Sequence, residues 1–456
     1  VGCLLTKKLF LTSFSSAALI WTLLGLSLLF TFNTTSVTIN TQSYVQPIQK
    51  YVVQWNTTLG GADYDWANAL VQTVDGGFAL AGGTWSYGAG GEDMYLVKTN
   101  GTGIVEWNTT FGETHWDEAI SLVQTVDGGF ALAGLTETGD DTYSTCLVKI
   151  DNTGDVEWNI TFFREAIGRR GNPLVLTTDG GFALAGYTYP YGAGDSDMWL
   201  VKITSTGITE WNTTFGGAEY DSANALIQTA DGGYVLAGET GWYGASSHEI
   251  FREILLLKTD STGAVEWNRT YGGHDYFLVY SLVQTTDRGF ALAGDTWSDE
   301  PKDDYMQLMK TDSTGAVEWT TTYGGPRKAS ASSLVQTADG GFALAGWTYS
   351  YSTGSYDMYL VKTNSTGAGK WYTTFGGDYG DWANALVQTA DGGFVLAGVT
   401  TSFGSDDGDM WLVKVIEAKV EGVSGITLEV VVILVLILLY YYFILLRGRL
   451  RPIKRW

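Results

Sequence analysis

The sequence is poor in proline, cysteine, histidine and basic residues, and each shortage excludes something. Of 456 residues only 6 are Pro and 2 are Cys, while 26 Lys+Arg face 49 Asp+Glu. Two cysteines, Cys3 and Cys146, cannot staple a small cystine scaffold, and Cys146 is read as exposed. A formal net charge of −23 repels nucleic-acid backbones, so nucleic acid is not expected as a partner. His115, His248 and His274 stand too far apart for a local metal or triad pattern. No G-x-S-x-G, H-E-x-x-H, P-loop or EF-hand calcium loop occurs, and no catalytic residue is singled out. What the chain does have is 59 Gly, 18 Trp and 14% aromatic residues, which indicates many tight turns between apolar strands.

Apolar segments flank the chain. Residues 9–32 carry no charge and follow Lys7 and Lys8, so residues 1–8 are read as a cytoplasmic N-terminus. At about 1.5 Å per residue the run spans a hydrocarbon core of about 30 Å. It reads as an uncleaved signal anchor, with a cleaved signal peptide as the alternative. Residues 424–446 form a second apolar run, followed by a tail, 447–456, with Arg447, Arg449, Arg451, Lys454 and Arg455. The positive-inside rule places that tail in the cytoplasm and everything between the two spans outside the cell membrane. Residues 33–50 are then a linker, and 51–421 an extracellular domain.

Within that domain three independent markers each recur seven times. Tryptophans stand at Trp55, Trp107, Trp158, Trp211, Trp267, Trp319 and Trp371, spaced by 52, 51, 53, 56, 52 and 52 residues. A turn aspartate recurs at Asp75, Asp127, Asp179, Asp231, Asp287, Asp339 and Asp391. A lysine closes an apolar strand at Lys98, Lys149, Lys202, Lys258, Lys310, Lys362 and Lys414. Each unit holds four short strand-like runs, in the first QWNTTL, ANALVQT, GFALAGGT and DMYLVKT. Asp-Gly-Gly and DSTGA-type turns join them tightly. Four antiparallel strands per unit and seven units predict an all-β, seven-bladed propeller. The last unit ends at MWLVKV without a WN strand, and the first begins with a WN strand that has no blade before it. Residues 51–59 are therefore expected to supply the outer strand of the last blade and close the ring. The WN strand is then outermost and ANALVQT innermost, and alternation turns each Asn beside a buried Trp outward.

The stretch TDSTGAVEW, at 259–267 and 311–319, resembles the tryptophan-docking motif of quinoprotein-type (PQQ-like) propellers, with T-G-x-x-x-W intact. DGGF before an apolar strand resembles the double glycine of kelch repeats. The whole unit is similar to tandem repeats of archaeal cell-surface proteins, over residues 51–415. The resemblance implies the propeller fold. Quinoprotein dehydrogenases have eight blades where this chain has seven units, and no cofactor is expected.

Candidate sites fall on the face that carries the two long connections of each blade, because binding groups sit on loops held by a rigid scaffold. The first loop type contains Asp63, Tyr64, Asp65 and Trp66, with counterparts Asp117, Asp221, Asp381 and Trp382. The second ends in Asp93, Asp197, Asp357 and Asp409. Rings of carboxylates beside aromatic faces suit Ca²⁺, cationic groups or sugars. Loop-turning aspartates and blade-packing aromatics produce the same pattern. Units three and six depart from the repeat and introduce Arg164, Arg169, Arg170, Arg327 and Lys328. Sequons occur at Asn33, Asn56, Asn100, Asn108, Asn159, Asn212, Asn268 and Asn364, five of them in the W-N-x-T strand. The reading is a membrane-anchored surface propeller for recognition or adhesion, binding a protein or glycan through the long-loop face. The alternatives are an envelope scaffold without a soluble ligand and a propeller enzyme, either a glycan lyase or a quinone-dependent oxidoreductase.

Overall fold

The computed structural model describes residues 51–417 apart from 138–142, 164, 169–170, 190–195, 219, 244–249, 273–275, 300–301, 353 and 406. Both apolar segments, the basic tail, Asn33, His248, His274, Arg164, Arg169 and Arg170 lie outside the described residues. Among the described residues no helix is long and apolar enough to cross a membrane.

The strands form seven antiparallel sheets, the blades of a propeller. Blade 1 runs from its innermost strand, Asp65–Gln72, through Phe78–Thr84 and Asp93–Thr99 to the outermost, Val105–Phe111. The second and third strands are buried at every residue, because neighbouring blades cover both of their faces. Blades 2 to 6 repeat this order. In blade 3, where the sequence departs from the repeat, the inner strand is broken into Glu165–Ala166 and Leu174–Leu176. Between them Asn172 pairs in parallel with Ala225 of blade 4.

Blade 7 contains Asp381–Gln388, Phe394–Thr400 and Asp409–Glu417, and its outer strand is Tyr51–Leu59. That strand pairs antiparallel from Tyr51 opposite Glu417 to Leu59 opposite Met410, so the ring closes as the unpaired WN strand predicts.

The blades are joined by their tryptophans. Each outer-strand Trp packs on the ring that follows the Asp-Gly-Gly turn of the next blade, which in blade 5 reads Asp287-Arg288-Gly289. Trp55 lies 6.0 Å from Phe78, Trp107 5.9 Å from Phe130, Trp211 5.9 Å from Tyr234 and Trp371 6.2 Å from Phe394. Its other side is covered by the T-G turn of that next blade. Gly103, at φ +80°, sits so close to Trp55 that a Cβ would lie 2.7 Å from the ring. Only glycine serves there, on both conformational and steric grounds. Trp371 has no such turn to meet, since the chain does not run on from blade 7's third strand to its outer strand. Tyr51 takes the place, stacked on Trp371 at 4.1 Å and 27°.

The recurrent lysine is a second tie. Lys98, Lys149, Lys202, Lys258, Lys310, Lys362 and Lys414 are buried, each paired with its turn aspartate. Lys98 reaches Asp75 at 2.9 Å and Glu106 at 2.7 Å, tying the Asp-Gly-Gly turn to the outer strand. In blade 6 Lys370 stands where Glu106 stands in blade 1, and Asp339 bridges Lys362 and Lys370 at 2.9 and 2.7 Å.

Around the axis three of the bulged inner strands reach a neighbour through an asparagine. Asn68 donates to the Ala119 carbonyl at 2.9 Å, Asn224 to Val279 at 3.1 Å and Asn384 to Ala67 at 2.9 Å. One expectation is corrected: Cys146 is buried rather than exposed, because it lies in the third strand of blade 2 between two covered faces. Burial, then the charge of Asp117, pushes its thiol up to about 12.

Two measurements test this architecture. Deleting residues 51–59 removes a whole strand and the Tyr51 cover of Trp371, so the melting temperature of the propeller domain should fall and blade 7 should lose hydrogen-exchange protection; an unchanged melt would contradict the closure. Acid should destabilise the fold through the turn aspartates. Asp75 is lowered to about 2 by the Thr73 hydroxyl and then by Lys98. At Asp127, Asp179, Asp287 and Asp391 desolvation is outweighed by the equivalent Thr, Lys and Gly donors, again giving about 2. A carboxylate more acidic in the folded state stabilises it above the unfolded value of 3.8, and that contribution is lost as pH falls through about 2. Stability by denaturant titration should therefore decline between about pH 4 and pH 2, less steeply in Asp127→Asn.

Candidate functional site at the axial mouth

The long-loop aspartates are inside the blade interfaces. Asp65, Asp117 and Asp381 begin inner strands and Asp221 is the second residue of its own, Asp93, Asp197, Asp357 and Asp409 begin third strands, and all eight are buried. Several serve the loops directly. Asp65 accepts from the Gly61 amide at 2.8 Å, from Ser86 Oγ at 2.7 Å and from Thr84 Oγ1. Asp381 repeats this set with Gly377 at 3.0 Å, Ser402 at 2.7 Å and Thr400. The Asp93 carboxylate accepts from the Ala89 amide at 3.0 Å and Asp409 from Ser405 at 2.5 Å.

The two kinds of aspartate also meet across blade boundaries. A Cβ on Gly112 would lie 2.2 Å from Asp93 and 2.8 Å from Asp117, which brackets this glycine between two carboxylates. Gly60 is held in the same way by Asp65 and Asp409, Gly216 by Asp197 and Asp221, and Gly376 by Asp357 and Asp381. Burial pushes Asp93 up, and the charge of Asp117 adds to it against the Ala89 amide. Burial likewise raises Asp117, against the Thr136 hydroxyl and the Glu113 amide. Among the described residues no group of three or more His, Cys, Asp or Glu side chains comes together as a metal centre. These aspartates shape the long-loop face from beneath.

The surface they support has a concave centre. A cavity of about 270 Å³ opens on the axis, lined by Tyr64, Asn68, Glu118, Trp347, Trp382 and Asn384 among others. Asn68 and Asn384 stand at the bulges of inner strands, where the extra residue turns toward the axis. Trp382 is the inner-strand residue after Asp381, and Trp347 faces it from the second strand of blade 6. Tyr356 links the two tryptophans, 4.9 Å from Trp347 and 5.3 Å from Trp382, and Tyr349 packs on Tyr356 at 4.0 Å. On the blade 1 side Tyr64 packs on Trp66 at 5.2 Å. Blades 6, 7 and 1 thus form an aromatic wall.

Hydrogen-bonding groups lie beside those rings and line the same cavity. Glu118, buried, accepts from Trp66 Nε1 at 2.9 Å and Asn68 Nδ2 at 2.8 Å. Burial, then the charges of Glu118 and Glu92, pushes the Tyr64 phenol up, so it stays a neutral donor. The equivalents of Trp347 in blades 4 and 5 are Glu239 and Asp295. Asp295 accepts from Ser330 Oγ at 2.9 Å and the Ala331 amide at 3.0 Å. Arg327 and Lys328 are exposed on the rim, and Lys328 pairs with Asp304 of blade 5 at 2.7 Å. Asp63, Trp66 and Trp382 of the sequence candidates reach the exposed or half-buried surface with them. Gly171, beside the undescribed Arg169 and Arg170, also lines the cavity.

Sequence reasoning named Trp66 and Trp382 but missed Trp347, Glu118 and Asn384. It followed positions that recur. These residues occupy positions where the strand is constant and the side chain changes from unit to unit: Trp66, Glu118, Ser222, Leu278, Ser330 and Trp382 on the inner strands. Aligning the units and looking for variation inside invariant strands is the signal that finds them.

No protein-family model matches the sequence, and no curated protein matches it. Similar solved structures include an ulvan lyase of a new polysaccharide lyase family, with a TM-score of 0.53 and 10% identity, covering 78% of this chain and 96% of that one. A second structure from that lyase family, bound to saccharide, has a TM-score of 0.50 and 11% identity over the same shares of the two chains. The NanB sialidase of Streptococcus pneumoniae, in a mutant form, has a TM-score of 0.42 and 11% identity over 80% of this chain and 70% of that one. At these identities the lyase likeness establishes the propeller fold alone.

Asp381→Ala tests the supporting role of the aspartates. It removes the acceptor of the buried Thr400 hydroxyl and of the Ser402 hydroxyl, a loss of about 1–3 kcal/mol in denaturant unfolding. A variant as stable as the parent would show that Asp381 does not hold the loops.

Proposed function

We propose that this chain is a membrane-anchored surface propeller that recognises a glycan at the axial mouth of its long-loop face. The observation that carries the reading is one cavity lined together by the aromatic rings of Tyr64, Trp347 and Trp382 and by Asn68, Glu118 and Asn384. A sugar ring has an apolar face of C–H groups and an equator of hydroxyls. It stacks on an aromatic plane while its hydroxyls bond to amides and carboxylates. A concave site with an apolar wall and a few placed polar groups is the general form of a small-ligand pocket.

The remaining parts of the reading rest on the sequence. The apolar segments at 9–32 and 424–446, with basic residues on their outer flanks, support anchoring with the propeller outside the cell. Outside those flanks and Glu429, 19 Lys+Arg stand against 48 Asp+Glu. So acidic an exterior repels polyanionic ligands and favours neutral or amino sugars. Neither a cofactor nor catalysis forms part of this proposal.

Binding should be measured with the propeller domain on a glycan array and then by calorimetry. Trp382→Ala, which removes the stacking plane, should weaken a neutral glycan by roughly tenfold or more, as expected for loss of about 1.5 kcal/mol of ring contact. Array binding that survives in Trp382→Ala and Trp347→Ala would move the site elsewhere. A chain that binds no glycan but co-purifies in fixed ratio with envelope assemblies would favour the scaffold.

A further inference from the structure

One position on the outer strand, directly after the docking tryptophan, is occupied around the ring by Asn56, Asn108, Asn159, Asn212, Asn268, Thr320 and Tyr372. All five asparagines are exposed, and each begins a sequon completed by Thr58, Thr110, Thr161, Thr214 or Thr270. The fold accounts for the tryptophan before them. Asn56 Oδ1 accepts from Trp411 Nε1 at 3.3 Å, but the fold does not account for the other four: among the described residues the side chains of Asn108, Asn159, Asn212 and Asn268 make no hydrogen bond within the protein. Thr320 and Tyr372 fill the same position in blades 5 and 6 with the strand intact.

The sequons at Asn100 and Asn364 are different. Asn100 Oδ1 accepts from the Thr102 amide at 2.9 Å and the Ile104 amide at 3.1 Å, and Asn364 Oδ1 from Thr366 and Ala368, both at 2.9 Å. Asp151, Asp260 and Asp312 hold the equivalent turns of other blades with the same bonds. That turn requires an acceptor oxygen, supplied by Asn or Asp and in blade 3 by the Thr204 hydroxyl. The outer-strand position has no such requirement.

We infer that Asn56, Asn108, Asn159, Asn212 and Asn268 are N-glycosylation sites that form a belt along the outer strands of blades 7, 1, 2, 3 and 4, leaving blades 5 and 6 bare. The donor is an oligosaccharide carried on a lipid phosphate. The Asn amide nitrogen attacks the anomeric carbon, the sugar–phosphate C–O bond breaks as the N–C bond forms, the lipid phosphate leaves, and the amide proton passes to a base of the transferase. The outer strand is also the free edge of each sheet, so the belt covers main-chain groups that would otherwise pair with another edge. It lies on the rim of the ring and leaves the axial mouth open.

The inference rests on the extracellular placement proposed above, and the experiment separates the two. The full chain is made in a host that N-glycosylates exported proteins, and intact cells are treated with a membrane-impermeant label before glycopeptide mass spectrometry. Labelled propeller with glycan on the belt asparagines is the expected result. Labelled propeller with all five bare overturns the inference while export stands; propeller sealed from the label overturns export, and the belt with it. Asn159→Gln in unglycosylated protein should melt at the parent temperature, whereas Asn364→Ala should melt lower. A loss in Asn159→Gln as large as in Asn364→Ala would make the belt position structural and overturn the inference.

Discussion

The structure depends on one contact made seven times: a tryptophan on the outer strand of each blade, set against the aromatic ring that opens the second strand of the next. Strand pairing holds each blade together but joins neighbouring blades only at isolated bridges, as between blades 3 and 4. The tryptophan joins them, held between the ring ahead of it and the turn glycine laid over it. A ring requires every such contact, including the one where the chain has no turn to offer. Tyr51 supplies the missing cover by stacking on Trp371, and the strand it begins is the strand that blade 7 lacks. Closure is thus both a pairing of backbone and a filling of one aromatic gap.

Beneath this contact lies an arrangement of charge that looks costly and is not. Seven lysines are buried, yet each meets a carboxylate at the surface end of a turn, so its charge is paired without being sealed from water. The same economy governs the long-loop face. Its aspartates are buried, but many of their oxygens accept from loop amides and hydroxyls. Buried polar groups of this kind specify loop shape. They hold the rim of the mouth and leave the ligand-facing surface to other residues.

Those other residues are the ones that differ between units. A ring of identical blades has a symmetric channel, suited at most to a symmetric ion or water column. Here Trp382, Trp347 and Tyr64 fill one arc while Glu118, Glu239 and Asp295 occupy another. Substitution at a few inner-strand positions, on a scaffold that tolerates it because those side chains face the axis, makes the mouth directional.

The blade count, the strand order, the outward Asn of the W-N strand and the closing strand were all legible in the sequence, because period-2 alternation and turn glycines are local signals and a seven-fold repeat amplifies them. The loop aspartates were legible as recurrent but not in their role, since a turn-capping Asp and a ligand-binding Asp have the same local sequence. Burial separates them, and burial is a property of neighbouring blades. Cys146 was misjudged for that reason: its exposure depends on the blades packed on either side. The broken inner strand of blade 3 could be seen as a departure but not as a reach to blade 4. The cavity likewise belongs to the tertiary structure alone. Tyr64 and Trp382 lie more than three hundred residues apart in sequence, and only closure of the ring, which sets blade 7 beside blade 1, puts them on one wall.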